Sequence, residues 1–444
     1  MSALSQNTHV LERIIAQRDG ASQPRSAEGV LLRGTAGRIR ALRFALLGLV
    51  LLLPLVVVPG LEQPFSRPKL ILWAAVVLCG LASCARRIQG AWGRLPQHLR
   101  VALALWLGAL GSSALWGKFA SLDGLLLPLV GVGWFVLLLA VRPEAWRLSW
   151  ALVFSGSAVA ALAVAQFFHA DPFATLGWLP TSTGNSRMLM FATLGNPDFV
   201  AAFLASLLPL TFSLASESQR YRWLLLGLSA LQLTAILATG SRAPILGLGA
   251  ALLWVTMTGL SAHRLTRELA FVALSVVVLA AGISPARNLS TTVAGRSYIW
   301  RVSAPHLTEH FLLGLGPGGF AASFPAWEVQ YWSGNPDDRN RKFAGLEDHA
   351  HNDYLEIFAD YGLGVLGFLA VLVAFLRSAG QLLRREPDPF SVGASGGVVA
   401  LAAVALVDFP LARPTEVFLL WSLVAIGLHN RFQPAVDQQA DCGK

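Results

Sequence analysis

LDGLLLPLVGVGWFVLLLAV, residues Leu122–Val141, carries Asp123 as its only charge, and it has the length of roughly 20 apolar residues that a helix needs to cross a bilayer. Comparable runs lie on both sides of it, at Phe44–Leu61, Leu70–Ala85, Val101–Trp116, Leu148–Phe168, Phe199–Ala215, Trp223–Ala238, Ile245–Leu260 and Leu269–Ile283. After a break come Tyr354–Leu376, Val392–Val407 and Glu416–Leu428. The pattern predicts an all-α polytopic membrane protein with about twelve transmembrane helices.

Composition points the same way. Of 444 residues, 55% are hydrophobic and 13% charged, against roughly 25% charged in an ordinary soluble domain. The net charge of +9 is spread singly between apolar runs, which argues against a nucleic-acid partner. Three cysteines, Cys79, Cys84 and Cys442, exclude a disulfide framework. Residues 1–43 are polar and rich in arginine before any apolar run begins, unlike a cleavable signal. They are expected to form a cytoplasmic, largely disordered tail with a short helix around Val10–Gln17. A membrane domain at 44–430 and a cytoplasmic tail at 431–444 complete the expected organisation.

Sidedness follows from the distribution of basic residues. With the N-terminus inside, the inner connections hold Arg86, Arg87, Arg94, Arg100, Arg142, Arg147, Arg220, Arg222, Arg264, Arg267, Arg377, Arg384 and Arg385. The short outer connections hold only Arg67, Lys69, Lys118, Arg187, Arg242 and Arg413. Both termini are then cytoplasmic, and the large loop Ser284–Asp353 lies outside, between helices 9 and 10. Charges at the membrane are costly and tend to be functional, although a snorkelling side chain is the plain alternative for any one of them.

Four stretches on the expected outer face differ from ordinary connectors. Thr181–Pro197 contains Arg187 and ends in Asn196-Pro197-Asp198, a helix start with Asn as cap and Pro in the first turn. Thr239-Gly-Ser-Arg-Ala-Pro244 is a tight hinge holding Arg242 at the membrane surface, where a guanidinium fork suits phosphate oxygens. The large loop opens with Gly295-Arg-Ser-Tyr-Ile-Trp-Arg301, continues as an amphipathic helix to about His310, and then has the glycine-rich Gly314–Phe320. No Gly-Lys-Ser/Thr follows those glycines, so a turn is favoured over a phosphate cradle. Last comes His349-Ala-His-Asn-Asp-Tyr-Leu-Glu356, in which Asp353 and Glu356 read as a capping box. His351 would sit just outside a helix N-terminus, an end that attracts anions and keeps histidine neutral. A paired-histidine metal site with Glu347 or Asp348 lacks zinc-type spacing, so no metal is assigned.

These stretches resemble the O-antigen ligase and O-antigen polymerase superfamily (the Wzy_C type), which includes protein O-oligosaccharyltransferases. The similarity rests on Gly195-Asn-Pro197, Thr239-Gly-Ser-Arg242, Arg296–Trp300, Gly314–Phe320, His351-Asn-Asp-Tyr-Leu355 and Asp408-Phe-Pro-Leu411, in that order, and on the single large outer loop. It spans about Phe44 to Leu428. The chain departs from the family after the histidines: Gly362 is present, but its expected partner position is Val365, with Gly364 and Gly367 nearby.

The resemblance implies an all-helical fold of the GT-C glycosyltransferase kind in the bacterial inner membrane. It implies transfer of a glycan from a polyprenyl diphosphate carrier to an acceptor, which is a growing glycan, lipid A core or protein, at the periplasmic face and without cofactor or metal. On that reading His351, or else His349, is the general base. Arg187, Arg242, Arg296 and Arg301 bind the diphosphate, and Asn196, Asn352, Asp353 and Asp408 support them. Two readings from other classes remain. One is a solute or inorganic-carbon transporter, which would favour internal repeats and mid-membrane polar groups. The other is a non-catalytic scaffold for polysaccharide assembly.

Overall fold

The computed structural model describes residues 27–177, 189–258, 268, 289–345, 347–385 and 388–432. The chain divides into two units after Leu46. The described part of the first is the opening of helix α1 (Ala27–Leu52); the bundle and the site belong to the second. Among the described residues every regular element is helical. The order continues with α2 (Arg67–Arg94), α3 (Gln97–Trp116), α4 (Leu122–Val141), α5 (Ala145–Phe167), α6 (Pro197–Glu217), α7 (Arg222–Thr239) and α8 (Arg242–Thr258). Then come α9 (Leu289–Leu307), α10 (Gly319–Gly334), α11 (Asp353–Tyr361), α12 (Gly364–Arg385), α13 (Pro389–Val404) and α14 (Pro414–Gly427).

Seven of these, α2 to α7 and α12, are long and apolar enough to cross a membrane, while α8, α13 and α14 are apolar but shorter. The chain is a polytopic helical membrane protein of this kind. Most boundaries fall within a turn of the apolar runs. The expected ninth span, Leu269–Ile283, lies outside the described residues, as do Val10–Gln17 and the 433–444 tail.

Three expectations are corrected. The first helix begins at Ala27 rather than at Phe44, taking in Arg38, Arg40 and Arg43, and it ends at Leu52 instead of Leu61. Pro54 sits in a short 3-10 turn directly after it, and Gly60 takes φ +84°. The expected tenth span, Tyr354–Leu376, is two helices. Gly362 breaks it at φ +56°, and a Cβ there would lie 2.5 Å from the backbone of Phe311 and Leu312. Finally, the cap of α11 is Asn352, whose side chain accepts from the Leu355 amide at 3.0 Å, and Asp353 is the first helical residue.

Helix α6 is buried on nearly all sides, packed among α5, α7, α8 and α13. Lipid offers no hydrophobic drive to bring such helices together, so small residues and polar contacts do it. A Cβ at Gly397 of α13 would fall 2.2 Å from the Ser206 carbonyl of α6. Thr211, Gln232 and Ser157 link α6, α7 and α5 through hydrogen bonds of 3.0 and 3.1 Å. Elsewhere, large apolar side chains such as Ile71, Leu78, Leu105 and Val373 are exposed on the candidate spans.

The segment after α8 builds a cap of its own. Tyr298, Ile299 and Val302 of α9 pack with Leu315, Phe320, Phe324 and Trp327 of the α10 region and with Ala350 and Ala359. The Gly314–Phe320 turn is sewn in on two sides. Phe119 and Ser121 donate their amides to Leu315 and Pro317, and Leu315 and Gly316 donate to Ala359 and Asp360, all at 2.8–2.9 Å. Glycine is required there: at φ +103°, a Cβ on Gly316 would meet the Phe119 carbonyl at 2.0 Å.

Candidate functional site

The start of α11 is tied down at both its backbone and its side chains. The Asp353 amide donates to Ala405 at 2.9 Å, its carboxylate accepts from the Leu411 amide at 2.8 Å, and Tyr354 donates to Ala402 at 2.8 Å. Just ahead of it the Ala350 peptide groups are clamped. The Ala350 amide donates to Glu356 at 2.9 Å, and the Trp300 indole of α9 donates to the Ala350 carbonyl at 2.8 Å. Glu356 therefore reaches back as the capping-box reading expects, but to Ala350 and to His349, whose Nδ1 lies 2.9 Å away. Burial pushes the His349 pKa down, but the hydrogen bond and charge of Glu356 outweigh it, and the net shift is upward.

His351 is held at φ +48°, a left-handed conformation uncommon outside glycine and concentrated at functional sites. Its Nδ1 faces Asp408 at 3.7 Å and its Nε2 faces Glu347 at 3.9 Å. Both distances exceed a hydrogen bond, and Nδ1 is buried without such a partner. Phe409 sits between the two histidines, stacked on His349 at 4.2 Å and edge-on to His351 at 5.0 Å.

Behind Phe409 lies a chain of alternating charges. Arg413, 6% exposed at its side chain, reaches Asp408 at 3.5 Å and Glu416 at 3.4 Å, and its guanidinium covers the Phe199 ring at 4.0 Å. Burial raises Asp408, but the neighbouring Arg413 charge and the His351 imidazole prevail and hold its pKa at about 2. Glu416 also interacts with Lys69, which is fully buried and donates to the Thr193 carbonyl at 2.6 Å. Unpaired, such charges would be prohibitive inside a membrane bundle; paired in sequence they are tolerable. On the far side, Arg296 of α9 feels both Asp408 and Asp198, while burial lowers its pKa. Asp198 accepts from the Ser241 hydroxyl, directly before Arg242 at the start of α8. Segments around residues 198, 241, 296, 351, 408 and 413 thus meet in one cluster.

A cavity of about 360 Å³ opens beside this cluster. His349, Glu356, Asp348, Asp123 and Arg67 line its polar part, and Leu70, Trp106, Leu127, Tyr361, Phe368 and Trp421 are among its apolar walls. None of His351, Arg242, Arg296 and Arg413 lines it. The glycine-rich turn forms part of its rim through Gly318, but that turn's amides are already engaged. Asp360 accepts from Gly318 and Phe320 at 2.8 Å each.

The expected site residues separate as follows. Arg242, Arg296, His349, His351, Asn352, Asp353 and Asp408 fall in or beside the cluster, and Asn196 caps α6 by accepting from the Asp198 amide at 2.8 Å. Arg301 is directed elsewhere, 3.6 Å from Asp338 and 54% exposed. Arg187 lies outside the described residues. Arg413, Glu416, Lys69, Asp198 and Glu356 were not expected as site members. The signal for two of them was present, since Arg413 and Lys69 were among the few basic residues on the side that insertion statistics disfavour.

Residues 227–372 match the family model described as O-antigen ligase. The matched stretch contains Arg242, Arg296, His349 and His351. No curated protein matches the chain.

Proposed function

We propose that the protein is a glycosyltransferase of the bacterial inner membrane that moves a glycan from a polyprenyl diphosphate carrier to an acceptor hydroxyl at the periplasmic face. The observation that carries this reading is the meeting of His351, Asp408, Arg296 and Asp198 in one cluster, within a polytopic chain that matches O-antigen ligases. The basic-residue bias puts that end of the bundle outside, with both termini in the cytoplasm.

The chemistry runs from these groups. Arg242 and Arg296, joined by Arg187, bind the diphosphate and stabilise the charge that grows on it as the sugar–phosphate bond breaks. Arg301 remains paired with Asp338. His351, turning Nδ1 toward Asp408, takes the acceptor hydroxyl proton at Nε2, and the Asp408 carboxylate stabilises the resulting imidazolium. The acceptor oxygen bonds to the anomeric carbon opposite the departing diphosphate, which inverts configuration. Asn352 fixes the helix end that carries the histidine.

The test is His351→Ala in the full chain, with membrane insertion verified. Transfer of a lipid-linked glycan is expected to fall by about 100-fold or more, the scale of general-base loss; unchanged transfer would overturn the role. Arg242→Lys keeps charge but loses the fork, so full activity in that variant would argue against specific diphosphate binding.

A further inference from the structure

We infer that the cavity bounded by His349, Glu356 and Asp123 is the subsite for an uncharged sugar unit of the acceptor, separate from the arginine cluster that meets the anionic donor. The inference rests on the glycosyl-transfer reading for the word acceptor, but the recognition chemistry stands on the lining itself.

Consider first the charges. Asp123, Asp348 and Glu356 face the cavity, and its single guanidinium among the described residues, Arg67, already pairs with Glu62 and lies 3.9 Å from Asp123. Asp353 and Asp360 also line it, but backbone amides hold one oxygen of Asp353 and both of Asp360, and burial raises their pKa. The only other basic group among the described lining residues is His349, bound to Glu356. A diphosphate entering here would meet three carboxylates and, among the described residues, no unengaged cation, a like-charge juxtaposition that disfavours it. Hydroxyl groups have the opposite preference, because a carboxylate accepts their protons.

The walls complete the pattern. Trp106, Tyr361, Phe368 and Trp421 line the cavity, and Trp106 packs with Tyr361 and Phe368 at centroid distances of 5.5 and 5.4 Å. A pyranose presents apolar C–H faces and a rim of hydroxyl donors. Aromatic walls serve the faces and carboxylates serve the rim. A phosphate uses neither. The volume of about 360 Å³ is within the range of small-ligand sites. His349 stands in this wall and stacks on Phe409, which also meets His351 edge-on, so a sugar held here is delivered to the proposed base.

The experiment uses the full chain in lipid nanodiscs and a diazirine-bearing octyl glucoside below its micellar concentration as photoprobe. Labelled peptides are mapped, and unlabelled octyl glucoside, farnesyl diphosphate and decanol compete. Labelling is expected within 121–128 or 348–368, displaced at about tenfold lower concentration by octyl glucoside than by farnesyl diphosphate or decanol. Asp123→Lys, at an exposed position, is expected to narrow or reverse the preference over farnesyl diphosphate. Equal or better displacement by farnesyl diphosphate in the wild type would make this a donor site. Equal displacement by decanol would make it an apolar crevice, and label absent from those peptides would also overturn the inference. His351→Ala should leave labelling intact. A protein that binds the glucoside selectively but transfers no glycan would refute the enzyme reading while leaving the sugar site standing.

Discussion

Asp360 offers the sharpest stability test, because its one side chain adds two hydrogen bonds to the backbone pair that joins the glycine-rich turn to α11. Its two oxygens accept from Gly318 and Phe320 at 2.8 Å each, and the residue is buried. Burial and the Glu356 charge raise its pKa to about 7 against the pull of the two amides, so near neutral pH it is partly ionised. Each bond then ranks between a neutral one, about 0.5–1.5 kcal/mol, and a charged one, about 1.5–3 kcal/mol. Asp360→Ala leaves both amides buried without acceptors, and together they should cost about 2–4 kcal/mol. At about 1.4 kcal/mol per decade, exchange of amides in 314–320 should accelerate roughly 30- to 700-fold. Hydrogen–deuterium exchange read by mass spectrometry in nanodiscs measures this directly. Asp360→Asn keeps one acceptor and should give a smaller change. The pH dependence has a definite sign. A carboxyl whose folded pKa is raised contributes stability below its unfolded value, about 3.9, and loses that contribution as pH rises through about 7. Once corrected for intrinsic exchange, wild-type protection should therefore decline across that window, and Asp360→Asn should flatten it. Protection within a few-fold of wild type in Asp360→Ala would refute the reasoning.

Other expectations follow from the same contacts. Glu356→Gln removes the charge that raises His349, so the His349 pKa should fall, as read by imidazole C2–H exchange. In the wild type the protonated imidazole stabilises the fold below about pH 6.5, and this contribution is lost as pH rises through the elevated folded value; the variant should lack that loss. Gly316→Ala forces a Cβ to within 2.0 Å of the Phe119 carbonyl at a positive φ. It should lower the yield of monodisperse protein, whereas Gly334→Ala, with open space around it, should not. Asn352→Ala removes the cap of α11 and should cost about 0.5–2 kcal/mol, seen as faster exchange at the Leu355 amide.

The spans were legible because their physics is local: about 20 apolar residues declare a membrane helix wherever they occur. That is why Leu122–Val141 matches α4 residue for residue. The start of α11 was legible to within one residue, since Asn352, Asp353 and Glu356 all belong to the cap vocabulary and only the backbone decides which of them closes the helix. The break at Gly362 was not legible. A glycine inside an apolar run reads as helix until Phe311 and Leu312, about 50 residues earlier, press against it.

Sequence by itself determined the class of molecule, its sidedness as an expectation, and the suspicion attached to Arg242, Arg296 and the histidine pair. Only the tertiary structure decided which groups meet. Asp408 stands opposite His351, Glu356 opposite His349 and Asp123 across the cavity because α4 packs on α14 and α11 packs on the turn that leads into α14. The reason is physical. Hydropathy acts over neighbouring residues and survives in the one-dimensional record. The pairing of a buried charge, by contrast, is settled by whatever distant helix brings the opposite charge within a few ångströms.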